Sequence, residues 1–269
     1  MKIINIYKIA KKEIVFNFYN YWFLLSAIIF CSTNFTIIYF GESISGDYSQ
    51  TDIRSLSLSV IHLQMYLIPL LSFILSYDSI LSERESGTLD LILSYRITLF
   101  DVLTGKLLGN SLIFMFSFLI GFLPVSIYLY TLGLDINILI KFILISIWLS
   151  IIFNAFAIYI SNSSTDRTFV ILVSIFIWLF FIFIYDILFT FIAIFFYGIV
   201  SNNFLNIILL FNPVEIFRLI SIFEFIPLDA NDLFGINIGN LKIIYIIFAM
   251  LFWLIISIFI FLIIDIKKK

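Results

Sequence analysis

The sequence predicts an all-α polytopic membrane protein with six spanning helices. Three observations carry this. Of the 269 residues, 63% are apolar and only 12% are charged, and mean hydropathy is +1.18, values outside the range of soluble domains. Six apolar runs reach about 20 residues, the length that crosses a bilayer. The basic residues fall unequally on the two sets of connecting segments, as the positive-inside rule requires.

Lys2, Lys8, Lys11 and Lys12 are spread over a stretch in which Ile3, Ile6, Tyr7, Ala10 and Ile14 recur at helical spacing. No small-residue cleavage site follows the next apolar run, so the stretch reads as an interfacial amphipathic helix rather than a cleaved signal. The spans are expected at Tyr21 to Phe40, Leu56 to Tyr77, Leu107 to Leu129, Ile138 to Ile160, Phe169 to Phe189, and Ile243 to Ile264. The fifth run stays apolar to Val200. As one helix it would measure roughly 48 Å against about 30 Å of hydrocarbon, so it must tilt or break. Asp186, Gly198 and Ser201-Asn202-Asn203 mark the expected break, followed by a partly inserted segment before the last span.

With a cytoplasmic N-terminus, the inner face holds Lys2, Lys8, Lys11, Lys12, Arg84, Arg96, Lys106, Arg167, Lys267, Lys268 and Lys269. The outer face holds Arg54, Lys141, Arg218 and Lys242, which accounts for all 15 basic residues and places both termini inside. A net charge of −2 points to neither nucleic acid nor an anionic bilayer surface as partner, and the single Cys31 excludes an internal disulfide or a cysteine-cluster metal site. No Pro/Gly-rich linker, low-complexity tract or internal repeat divides the chain, so residues 1–269 read as one membrane domain.

Between Asp78 and Lys106 lies the one long charged interruption, D-S-I-L-S-E-R-E-S-G-T-L-D-L-I-L-S-Y-R. Gly87 offers a hinge, Thr88 a cap for a short helix, and Asp90 an acidic first turn favoured by the helix dipole. Leu89, Ile92 and Leu93 share one face, apolar enough to lie in a groove, while Glu83 and Glu85 could meet a basic rim. The expected product is a helix lying crosswise beneath the second and third spans, placed to receive a push from a soluble motor. The plainer alternative is a solvated loop.

Further candidates are weaker. His62 and Met65, at i and i+3, are soft ligands but lack a third, and an interface-facing His62 is the alternative. Asp186 sits near the end of the fifth span, suited to a helix break or, second, to a translocation path. Asn212 and Pro213 form a helix start, and Glu215 and Arg218 at i, i+3 can pair on its surface. These four serve either to dock an extracytoplasmic partner or to brace the inserted segment. Asp229 and Asp232 are expected in solvent. There is no His–carboxylate–nucleophile set, so catalysis in this chain is not expected, and no G-x-x-x-x-G-K-[ST] loop, so ATP must be bound elsewhere.

The string from Tyr77 to Tyr95, with G-K-L-L-G at Gly105 to Gly109, resembles the ABC-2 class of ATP-binding-cassette permeases. Tyr39-Phe40-Gly41, Leu67-Ile68-Pro69-Leu70 and F-N-P-V-E-I-F-R-L from Phe211 to Leu219 bring it nearest to the permeases of the nitrous oxide reductase maturation system. Arg96 departs from this pattern, since relatives usually carry Pro near the end of the segment. The resemblance implies a homodimer in the bacterial inner membrane with two copies of a separate cytoplasmic ATPase, which would bind ATP and magnesium. Ser82, Glu83, Arg84, Glu85, Gly87, Thr88 and Leu89 would then be the coupling residues. It also implies an extracytoplasmic (periplasmic) copper-handling partner and a role in copper–sulfur centre assembly, with a sulfur compound or copper as cargo. The alternatives are an ABC-2 exporter of a lipid, peptide or drug, and an ATP-independent transporter or channel. The last requires mid-membrane charges that the spans lack.

Overall fold

The computed structural model describes residues 2–45, 50–95, 97–196, 202–225 and 243–267. Arg96, Gly198, Ser201, Asp229, Asp232, Lys242, Lys268 and Lys269, which entered the expectations above, lie outside the described residues, as do the side chains of Lys2, Arg54 and Lys267. Every secondary-structure element among the described residues is a helix. In order come α1 (Lys2–Phe18), α2 (Tyr21–Ser45), α3 (Gln50–Ser76), α4 (Leu81–Glu85), α5 (Thr88–Ser94), α6 (Leu99–Thr131) and α7 (Ile136–Ser163). Then follow α8 (Arg167–Leu179), a π-helical turn (Phe180–Ile184), α9 (Tyr185–Phe195), α10 (Asn202–Leu210), α11 (Pro213–Phe225) and α12 (Ile243–Lys267).

Six of these helical stretches are long and apolar enough to cross a membrane: Tyr21–Phe40, Ser55–Glu85, Leu99–Thr131, Ile136–Ser163, Arg167–Phe195 and Tyr245–Leu262. All six expected spans are present. The third begins two turns earlier than expected because Thr98 and Asp101 form a reciprocal capping box, with both backbone-to-side-chain bonds at 3.2 Å. Asp135 caps α7 through the Asn137 N–H at 3.1 Å, and Asp166 caps α8 through the Thr168 N–H at 2.9 Å.

Helix α6 is the central post, packed against α1, α2 and α7. Its phenylalanines at i, i+4 spacing build a column of rings: Phe114–Phe118 at 6.2 Å and Phe118–Phe122 at 5.3 Å, both stacked. Phe142 of α7 continues it at 5.2 Å and Phe225 of α11 closes it edge-on at 5.2 Å. In lipid, apolar burial alone does not drive helices together, so dense ring packing and interhelical polar contacts must do so. Ser26 and Ser117 hydroxyls meet at 2.6 Å, and Gln64 donates to Asn34 at 2.9 Å, which in turn donates to the Gly121 carbonyl at 3.2 Å.

The fifth span departs from expectation. Asp186 does not break it, because the helix runs on through α9 to Phe195. The irregularity lies one turn earlier, at the π turn, where the Phe181 carbonyl accepts a 2.7 Å bond from Asn212 Nδ2. The same Asn212, wholly buried, caps α11 through the Val214 N–H at 2.9 Å. Helices α10 and α11 meet at 104°, and α11 is wedged against α3 and α7. One side chain thus satisfies a π turn and a helix start together. Asn212→Ala is expected to lower the unfolding free energy in detergent by about 2 kcal/mol or more, through the lost cap and the stranded carbonyl. Asn212→Asp, which keeps the cap but cannot donate, should also destabilise.

Candidate functional site

The charged interruption folds into an elbow. After α3 the chain turns through Tyr77–Ile80 into the single turn of α4, whose end is closed by Gly87 N–H donating to the Arg84 carbonyl at 3.1 Å. Gly87 takes φ +71°, the left-handed region that glycine enters without steric penalty. The expected cap is shifted by one residue. Gly87, not Thr88, occupies the cap position, and the Thr88 hydroxyl instead donates back to the Glu83 carbonyl at 3.2 Å. Asp90 lies in the first turn of α5, as expected.

The apolar face of α5 is already covered. Leu89 is buried, and Ile92 and Leu93 are partly buried, against Val102 and Leu103 of α6, Ile158 of α7 and Phe261 of α12. It is therefore not free to lie in a partner's groove. The amphipathic pattern was sound, but the groove belongs to the same chain. What α5 turns outward is Asp90, Leu91 and Tyr95, the last two 63% and 75% exposed.

Of the two glutamates, Glu83 turns inward, whereas Glu85 stays exposed. Lys106 of α6 is 2% exposed, and its ammonium touches the carboxylate of the equally buried Glu13 of α1. It lies 3.2 Å from Glu83 Oε2, while Glu83 Oε1 accepts a 2.7 Å bond from Lys12. A buried ammonium is tolerable only when paired and hydrogen-bonded. The approach of α1 that supplies Glu13 depends on Gly105 and Gly109. A Cβ at Gly105 would come within 2.8 Å of the Ile9 side chain, and one at Gly109 within 2.6 Å of Glu13 Cβ. This is small-xxx-small packing, with Lys106 inside the motif. The face of α1 that packs overlaps the apolar one expected, with Ala10 buried and Ile6 and Ile14 partly so, but it is centred further round the helix. Tyr7 is exposed, whereas Glu13 and Asn17 are buried, and Asn17 donates to Asn110 at 2.9 Å.

On the opposite flank, Arg84 donates to the Ser164 carbonyl at 2.8 Å and the Asn162 carbonyl at 2.7 Å, clasping the end of α7. The Ser161 hydroxyl accepts from the Ile80 and Leu81 N–H groups at 3.2 and 3.1 Å. Arg167 at the start of α8 grips Glu85 in a fork, with contacts of 2.5 to 3.1 Å. Deeper in, Asn110 donates to Ser76 and Ser76 to Asn154, at 2.9 and 2.8 Å. One polar layer therefore fastens the elbow to α1, α6, α7 and α8. Of its members only the E-R-E triplet was singled out from sequence. A lysine inside an apolar helix, Lys106, was the available signal for the rest.

The remaining candidates separate. His62 is exposed, with Nδ1 2.9 Å from the Leu58 carbonyl, whereas Met65 is 4% exposed and turned into the core, so the two do not converge on one ligand. Among the described residues no group of three or more His, Cys, Asp or Glu could hold a metal ion. Glu215 and Arg218 pair at 2.5 Å as expected, but inside the protein and not on a surface. Asp186 lies 3.7 Å from the same Arg218. With Asn212 and Pro213 also buried, these four side chains brace α11 against the fifth span.

The chain belongs to the ABC-2 family of transporter proteins, whose model, described as "ABC-2 family transporter protein", matches residues 7–266. It is a polytopic membrane permease of that family. Among curated relatives it is similar to the "Probable ABC transporter permease protein NosY" of Pseudomonas aeruginosa, 29% identical over 226 residues that make up 82% of each chain. It is likewise similar to the protein of the same name from Stutzerimonas stutzeri, 30% identical over 227 residues, again 82% of each.

Removing Lys106 leaves the buried carboxylate of Glu13 without its cation. Lys106→Ala is expected to destabilise the protein in detergent by about 3–5 kcal/mol. The double change Lys106→Met with Glu13→Gln should recover most of that loss, because Glu83 keeps Lys12. Thermal unfolding followed by tryptophan fluorescence measures both.

Proposed function

We propose that this chain is the membrane half of an ABC transporter whose ATP-driven stroke enters through the α4–α5 elbow. A separate cytoplasmic ATPase, in two copies beneath a homodimer of this chain, would press on the outward surface of α5 formed by Asp90, Leu91 and Tyr95. The observation that carries this proposal is the fastening of α4 to four helices at once. A force on so small an element reaches the bundle only if the element cannot move alone. Glu83, Arg84 and Glu85 then act as the bolts that pass the push to the spans, with Ser82, Gly87, Thr88 and Leu89 shaping the element, and need not touch the ATPase. The elbow and both termini would face the cytoplasm, with the protein in the bacterial inner membrane, in keeping with the positive-inside count. No nucleotide would bind this chain, and ATP and magnesium would be held by the partner.

We further infer, from the two similar permeases named NosY and from the F-N-P-V-E-I-F-R-L segment, that the transporter serves nitrous oxide reductase maturation. It would support assembly of copper–sulfur centres together with a periplasmic copper-handling protein, with a sulfur compound or copper as the cargo.

Co-purification with the co-expressed ATPase tests the first proposal. Leu91→Glu or Tyr95→Glu should weaken the complex by roughly 30-fold, the loss expected for an anchor residue, without lowering the stability of the permease alone. Undiminished binding in both variants would overturn it. For the pathway, a strain lacking the permease should yield nitrous oxide reductase without the visible absorption of its copper–sulfur centres, and complementation with this chain should restore it. Failure to restore it while the ATPase complex still forms would leave the transporter proposal standing and remove the pathway.

A further inference from the structure

Two cavities adjoin where the elbow meets the bundle. One is a polar cleft of about 530 Å³ whose walls include three cations, Lys12, Lys106 and Arg167, and three carboxylates, Glu13, Asp78 and Glu83. The other is an almost wholly apolar groove of about 250 Å³ between α3 and α8, lined by Leu70, Phe73, Ile171, Ser174 and Ile175. Trp22, Ile74 and Tyr77 line both, so the charged cleft passes directly into the apolar groove. Trp and Tyr at such a junction mark the boundary between hydrocarbon and water.

Among the described residues, three buried polar atoms along this depression lack a hydrogen bond: Ser174 Oγ, Asp78 Oδ1 and Glu83 Oε2, the last of which has the Lys106 ammonium 3.2 Å away. Ser174 is 4% exposed, and its Oγ makes none. A serine in an apolar helix ordinarily donates to the carbonyl one turn back, as Ser72, Ser146 and Ser257 do here. Ser174 instead lines the groove. In the cleft, the buried Oδ1 of Asp78 is likewise without a bond, while Oδ2 lies 3.8 Å from Arg167. A buried acceptor left without a donor is costly, and a donor from a ligand removes that cost.

We propose that this depression is a binding site for one bilayer glycerophospholipid with a primary-amine headgroup, of the phosphatidylethanolamine type. An acyl chain lies along the groove, and Ser174 donates to an ester oxygen near its top. The phosphate sits toward the half-exposed Lys12 and Arg167, and the ammonium donates to Asp78. The balance of charges in the cleft favours a zwitterion over an anionic headgroup. The free acceptor on Asp78 favours an amine that can donate over a quaternary one that cannot. Held there, the lipid spans the elbow and the second and fifth spans, and so joins the polar layer that fastens them.

Native mass spectrometry of the full chain, delipidated and then titrated with phosphatidylethanolamine, phosphatidylcholine or phosphatidylglycerol, tests this. The wild type should retain one phosphatidylethanolamine per chain in preference to phosphatidylcholine by about tenfold, the factor expected of one charge-assisted hydrogen bond. Asp78→Leu, which removes the acceptor, should bring that ratio close to one. Ile175→Trp, at a position already 43% exposed and so tolerant of size, should fill the groove and lower retention of all three lipids. Equal retention of the three lipids by the wild type, a preference for phosphatidylglycerol, or full retention in Ile175→Trp would overturn the proposal. So would efficient disulfide crosslinking between two chains carrying Ile175→Cys in a Cys31→Ser background, since a second copy would then cover the groove.

Discussion

A single ammonium organises one end of this protein. Lys106 sits within an otherwise apolar helix and is almost wholly out of water, so it must be surrounded by acceptors or not be charged at all. Two carboxylates answer it from different parts of the chain, Glu13 from the first helix and Glu83 from the elbow. Because the first is brought in by close packing on Gly105 and Gly109, the position of α1 and the position of the elbow are set by the same charge. Buried ion pairs contribute little to net stability, but they discriminate strongly between arrangements, since a misplaced partner leaves a naked charge. In this chain the discrimination falls on the geometry of the elbow.

From that constraint follows the division of labour on the elbow. Its conspicuous charges, Glu83, Arg84 and Glu85, are internal fasteners to α1, α6, α7 and α8. Its amphipathic helix α5 seals its own apolar face against the bases of α6 and α7. What the elbow leaves exposed is the outward side of α5 and the stretch Glu85, Ser86 and Gly87. The opposite end of the bundle is held by another shared side chain, Asn212, which joins the π turn of the fifth span to the start of α11. Both ends use one polar group to satisfy two elements, an economical device where lipid offers no competing hydrogen bonds.

The six spans were legible because run length and composition alone decide them, and the elbow was legible because charge inside an apolar sequence must reach water or a partner. Which of the two it reaches was not legible. Glu83 looks the same facing a basic rim on another protein or facing Lys106, 23 residues on and brought near only by the turn of the chain. The burial of Glu13 and Asn17 likewise depended on where α1 lies across α6, which local periodicity does not encode. Asn212 was recognisable as a cap from Asn-Pro, but its bond to Phe181 depends on a π turn that leaves no mark in an unbroken apolar run. Asp186 misled for the reverse reason. A carboxylate in such a run suggests a break, yet Asp186 stays partly exposed beside Arg218, and the helix continues past it to Phe195.

The central claim is that the elbow and the adjoining helix ends move as one body. Spin labels at Leu91 on α5 and Tyr7 on α1, both exposed, introduced in a Cys31→Ser background, measure it by double electron–electron resonance on the assembled transporter. The distance distribution should keep its mean and its width between the nucleotide-free and ATP-trapped states. A shift or a second peak on trapping would show α5 moving against α1, and the elbow would then be a hinge instead of a bolt.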